Sequence, residues 1–148
     1  MSRLEVPLQH RTLRTTGDSV LWAELVLSLK SSLGGWEELT FRVDSGTEMT
    51  TVPAFRAKSL DLPIPNRPVS GLLLKGQVVR AGLIRARVVG LDPTEFVFPC
   101  YFLGDPDVPL VGASNLLGLT GVITHIRLTF EGTASLVAPN GVLVFERM

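Results

Sequence analysis

The apolar runs of this chain are short, and nearly all of them end at glycine, proline or a cluster of small polar residues. Fourteen glycines and ten prolines punctuate 148 residues. That leaves little room for helices, which need roughly 10–12 residues carrying a 3.6-residue apolar stripe. Short β-branched and aromatic runs between turn-formers are the mark of strands. The chain is therefore expected to be all-β, a barrel or sandwich with one or two short helices.

Residues 20–29 (VLWAELVLSL) suit a helix when taken alone. They lead through the turn-like Ser31-Ser32-Leu33-Gly34-Gly35 into residues 36–43 (WEELTFRV), which end in alternation. A hairpin is the expected outcome. Asp44-Ser45-Gly46-Thr47 then makes a polar turn, residues 49–52 resume β character, and Pro53 opens a short helix over 54–60. Residues 76–80 and 83–89 read as two strands paired around Ala81-Gly82. Residues 95–103 form a strong β run, in which Pro99 predicts a bulge or an edge. Pro109-Leu110-Val111-Gly112 reads as a short apolar strand and residues 113–119 as a brief helix. Residues 121–130 and 142–145 read as closing strands.

Charge and rare residues exclude several functions. Fourteen basic residues balance fourteen acidic ones, so no basic excess is present to neutralise phosphates, and nucleic acid is not an expected partner. One cysteine, Cys100, makes neither an internal disulfide nor a cysteine-based zinc site, and is expected as a buried thiol. His10 and His125 lie far apart, and His125 is expected on a strand face without a catalytic role. No metal or other cofactor is expected. Residues 1–14 lack an apolar signal-peptide core, and the run 110–123 is too short and too interrupted to span a bilayer. The expectation is a cytoplasmic protein without a membrane partner. Trp22 and Trp36 read as core or interface residues, and Asp105 and Asp107 as turn residues. Ser45 lacks the G-x-S-x-G elbow of a serine hydrolase.

The chemistry-bearing segment is FRVDSGTEMTTVP at residues 41–53. Alone, Asp-Ser-Gly-Thr is an ordinary β-turn. In its surroundings it resembles the active-site loop of the retropepsin-like aspartic peptidases, in which apolar residues precede Asp-(Thr/Ser)-Gly-(Ala/Ser/Thr). Three further features occur in the family's order. Thr51-Val52-Pro53 leads to Leu60-Asp61-Leu62-Pro63; residues 69–79 hold glycines where the family has its flap hairpin; and Leu110-Val111-Gly112 resembles the second signature, two apolar residues and glycine. The resemblance covers roughly residues 20–130. It implies a single-lobe acid-protease fold, a closed β-barrel forming one domain over residues 1–148, with an N-terminal arm at 1–18 and C-terminal strands at 131–148. It implies Asp44 as the catalytic residue, supported by Ser45, Gly46 and Thr47. It also implies Ser70, Gly71, Leu72, Leu73, Leu74 and Gly76 as flap or cleft residues, with a plain buried strand as the alternative for the leucine run. Departures are Ser114 where the family commonly has Asp or Asn, and the absence of a dense glycine cluster in the flap.

Aspartic peptidases need two carboxylates about 3 Å apart that share one proton, because like charges so close do not both ionise. This chain carries one such Asp-Ser-Gly. The resemblance therefore implies a homodimer with Asp44 from each copy, acting on peptide or protein substrates. Leu-, Val- and Ile-rich flanks suggest a preference for hydrophobic side chains at the cut. The rival reading is a non-catalytic module of the same fold, kept for dimerisation or peptide binding.

Overall fold

Alternation of inward and outward side chains dictates the architecture. The computed structural model describes residues 3–12, 14–17, 19–43, 48–91, 94–122, 125–132 and 135–147. Among these, the chain runs through β1 (Arg3–Pro7), β2 (Gln9–Thr12), β3 (Ser19–Lys30), β4 (Trp36–Val43), β5 (Thr50–Pro53), α1 (Ala54–Ser59) and β6 (Leu73–Leu74). It continues through β7 (Gln77–Val88), β8 (Phe96–Leu103), β9 (Leu116–Leu117), β10 (Ile126–Glu131) and β11 (Val142–Arg147). Every second residue of the long strands points inward. Ala23, Leu25, Leu27 and Leu29 of β3, Phe41 and Val43 of β4, Ile84, Ala86 and Val88 of β7, and Phe96, Phe98, Cys100 and Phe102 of β8 are all buried in one cluster. Leu143 and Phe145 of β11 join the same cluster. Burial of one large apolar side chain contributes about 1.5–3 kcal/mol, so this shared face outweighs any local propensity.

Eight strands pair in the order β2-β3-β4-β9-β5-β8-β7-β6, and three more in the order β1-β11-β10. The far end of β7 returns to β3 through Leu27↔Val88, Ser28↔Arg87 and Leu29↔Ala86. The path of pairings that leaves β3 through β4 thus comes back to β3.

Some expectations hold and others are corrected. Residues 20–29 lie in a strand, paired with β4 from Ala23↔Val43 to Lys30↔Trp36, as the hairpin reading requires. Residues 77–88 form one continuous strand rather than two, and Gly82 remains in its ladder opposite Cys100. Its glycine answers to crowding: a Cβ there would lie 3.0 Å from Phe102 and 3.2 Å from Pro65. Pro99 sits within β8 opposite Leu83, while the ladder to β5 starts only at Cys100. The proline thus occupies a stretch of β8 paired on one side only. No helix forms at residues 113–119, where β9 lies instead. The N-terminal segment is folded back on its own chain, β1 against β11 and β2 against β3. His125 precedes β10 rather than lying on a strand, and is exposed.

The single described helix, α1, follows Pro53 and ends in a Schellman motif. Asp61 is left-handed (φ 54°), and the Leu62 and Asp61 amides donate to Ala57 and Lys58 carbonyls at 3.0 Å each. No described helix is long and apolar enough to cross a membrane.

Candidate active site

β9 separates two strands that are consecutive in the local chain. It lies parallel to β4 through Arg42↔Leu116 and Val43↔Leu117, and antiparallel to β5 through Thr51↔Leu116. β4 thus ends at Val43 and β5 begins at Thr50 on either side of β9, with residues 44–49 as the connection in the sequence. Asp44, Ser45, Gly46 and Thr47 belong to that connection and lie outside the described residues.

Both flanks of the connection are fixed. On entry, the Arg42 amide donates to the Asn115 carbonyl at 2.8 Å, and Asn115 Nδ2 donates to the Thr40 carbonyl at 3.2 Å. On exit, the Thr120 amide donates to the Glu48 carbonyl at 2.8 Å, and the Gly118 amide donates to the buried Thr50 Oγ1 at 3.1 Å. Gly118 permits this close approach. A Cβ there would stand 2.4 Å from the Met49 carbonyl carbon and 2.6 Å from Glu48 O. Backbone cannot yield to that, so the position is closed to any other residue without displacing residues 48–49.

The expected strand at Leu110, Val111 and Gly112 is not formed. Leu110 is half-buried and leads into a turn, with Val111 fully exposed and Gly112 at φ 74°. Leu116–Leu117 take the place beside β4, and Gly118 follows them. The apolar-apolar-glycine pattern of Leu110-Val111-Gly112 has a second copy just after it, Leu116-Leu117-Gly118. The second copy was visible in the sequence, but no one-dimensional signal says which glycine backs onto residues 48–49.

The flap candidates form a projecting hairpin. Leu73 pairs with Val78 and Leu74 with Gln77. The two turn residues, Lys75 and Gly76, have φ of 52° and 76°, the type I′ geometry that matches strand twist. Leu73 is 65% exposed, which removes the buried-strand reading of the leucine run. Ser70 and Gly71 are exposed, and Leu72 and Leu74 half-buried. The Val69 amide donates to the Val79 carbonyl at 2.7 Å and ties the base of this excursion.

These parts converge on one cleft of about 430 Å³. Arg42, Thr51 and Leu116 contribute from the strands, Lys75 and Gln77 from the hairpin, and residues 110–114 from the turn. A second cleft of about 430 Å³, bordered by Lys58, Pro63, Pro65 and Asp107, shares no lining residue with it.

Other candidates fall outside this cleft. Cys100 is buried; desolvation pushes its thiol well up, and a hydrogen bond with the Val52 backbone only partly opposes this. It remains a protonated, weakly nucleophilic group. Asp105 and Asp107 are exposed turn residues, with the Asp107 amide donating to Asp105 Oδ1 at 2.8 Å. The His125 ring lies 5.7 Å from that of Phe96. Trp36 lies beneath Lys30 and Arg87, and Trp22 beneath Arg42, so both half-buried indoles carry cations on their faces. No group of three or more His, Cys, Asp or Glu side chains among the described residues gathers to hold a metal.

No family model and no curated protein matches the chain. The crystal structure of a retropepsin-like aspartic protease from Rickettsia conorii aligns with it at a TM-score of 0.62 and 10% identity, over 98% of this chain and 91% of that one. The chain shares the fold of a retropepsin-like aspartic protease. Within this retropepsin-like fold, Arg42 of β4, Thr51 of β5, Leu116 of β9 and the β6–β7 hairpin border one cleft.

Proposed function

We propose that the chain is an aspartic endopeptidase that works as a homodimer, with Asp44 from each protomer holding the attacking water. The reading rests on one observation above all. Asp-Ser-Gly-Thr stands in the sequence between β4 and β5, the two strands that flank β9, in a fold shared with an aspartic protease over 98% of the chain. The ring of pairings from β3 back to β3 is read as the closed barrel of a single lobe, formed by one domain.

Two identical loops facing across a two-fold axis bring together two carboxylates that hold one proton between them. The ionised member takes a proton from water, and the protonated member donates to the scissile carbonyl oxygen. The apparent acidities belong to the pair. In this scheme Gly46 lets the loops approach closely. Ser45 bonds across to the partner loop, and Thr47 donates to the outer oxygen of Asp44, favouring its charged form. Leu116-Leu117-Gly118 takes the second-signature role, in place of Leu110, Val111 and Gly112. The β6–β7 hairpin acts as the flap.

The test is digestion of a diverse peptide library by wild type and Asp44→Asn across pH. Loss of cleavage with fold and dimer retained is expected. Undiminished cleavage by the variant refutes the assignment. An unreactive wild type that still dimerises or binds peptides supports the non-catalytic module instead.

A further inference from the structure

The cleft beneath the β6–β7 hairpin carries positive charge that no described lining residue offsets. Arg42 and Lys75 both line it, and its described lining includes no Asp or Glu. Among the described residues neither cation forms an ion pair. Glu24 stands opposite Arg42 in the β3–β4 ladder, yet the two are not paired. Arg42 is instead held by its face, with Cζ 4.5 Å from the centroid of Trp22. A guanidinium stacked in this way keeps its N–H edges available for a planar anion. The neighbouring Trp22 Nε1 is itself buried with no acceptor among the described residues. Lys75 adds a second, independent feature. It is a non-glycine residue at positive φ at the hairpin tip, where Asn or Gly is the ordinary choice, and it lines the same cleft.

We infer that the peptide substrate presents an acidic side chain, Asp or Glu, whose carboxylate is held between Arg42 and Lys75. This deepens the peptidase reading and rests on it for the identity of the cleft. The apolar walls from Leu103, Leu110 and Leu116 receive the neighbouring side chains, so specificity combines one anionic position with hydrophobic ones. Charge-assisted hydrogen bonds are about twice as strong as neutral ones, and a bidentate guanidinium–carboxylate pair adds orientation. A preference of about tenfold for the carboxylate over its amide is expected for each cation engaged.

The experiment uses pairs of neutral-fluorophore-labelled octapeptides that differ only by Glu or Gln, with the position of the pair moved along the peptide. Cleavage is followed with wild type at about pH 6, where a free Glu is ionised. Binding is followed by anisotropy with Asp44→Asn, which does not turn the peptides over. At one position Glu is expected to win by about tenfold or more in both readouts, with the margin shrinking as salt rises. Lys75→Asn keeps a residue that tolerates the left-handed turn while removing the charge, and Arg42→Gln removes the other. Each should bring the Glu-to-Gln ratio down by several-fold, and Arg42→Lys should restore part of it. Absence of a Glu preference at every position, or a preference untouched by both charge removals, overturns the inference. Cleavage without such a preference overturns it while leaving the peptidase standing. Selective binding of the Glu peptides without cleavage by wild type does the reverse.

Discussion

Gly118→Ala probes the joint on which the candidate active site is built. The added methyl would sit 2.4 Å from the Met49 carbonyl carbon and 2.6 Å from Glu48 O, where ordinary contact is about 3.5–4.0 Å. The obstacles are backbone, so residues 48–49 must retreat by roughly 1 Å or more. That retreat strains two hydrogen bonds, Thr120 N to Glu48 O at 2.8 Å and Gly118 N to Thr50 Oγ1 at 3.1 Å. Overpacking typically costs about 1–3 kcal/mol, and a buried group left unsatisfied costs about 1–3 kcal/mol. A net loss of about 2–4 kcal/mol is expected, after allowing about 0.4–1 kcal/mol in favour of alanine from the unfolded chain. For a chain of this length that lowers Tm by roughly 5–15 °C. Gly112→Ala is the matched control. Its Cβ meets nothing within 4 Å, and only the positive φ of 74° opposes it, for about 1 kcal/mol. Urea and thermal unfolding of the two variants measure the difference. A Gly118→Ala protein as stable as wild type, or a Gly112→Ala protein that is the less stable of the two, refutes the placement of residues 48–49 on β9.

Three further outcomes are expected. Cys100 should resist alkylation in the native protein and react fully after unfolding. Because burial raises the folded thiol's pKa above its unfolded value, its contribution to stability is full below about pH 8.5 and is lost as pH rises; Cys100→Ala should flatten that alkaline loss. Phe145→Ala should cost about 3–5 kcal/mol, since Phe145 of β11 is fully buried in the shared core, whereas Phe130→Ala on β10, 51% exposed, should cost less than about 1 kcal/mol. Equal effects would separate the β1-β11-β10 sheet from the core. Turnover should follow a bell with an acidic maximum, because the base is lost when both carboxylates are protonated and the acid is lost when both are ionised. A rate peaking clearly above neutrality contradicts a shared-proton pair.

Much of the fold was legible because its signals are local. The alternation that ends residues 36–43 and the β-rich run 95–103 marked β4 and β8, and Pro53 marked the start of α1. The misreadings arose where tertiary contacts override local signals. Ala81-Gly82 suggested a turn, yet the ladder to β8 carries the strand straight through it, and Gly82 serves the packing of Phe102 and Pro65. Leu110-Val111-Gly112 carried the expected pattern and led into a turn, while Leu116–Leu117 entered the sheet.

The sequence alone decided the β class, the burial of Cys100 and the presence of one Asp-Ser-Gly-Thr segment after an apolar strand. These follow from side-chain period and turn chemistry, which act over a few residues. Only the tertiary structure decided that β9 enters between β4 and β5, that Gly118 rather than Gly112 abuts the chain leaving the loop, and that Arg42 and Lys75 meet in one cleft. Those are contacts between segments far apart in the chain, selected by which shared burial is greatest, and no local pattern encodes that comparison.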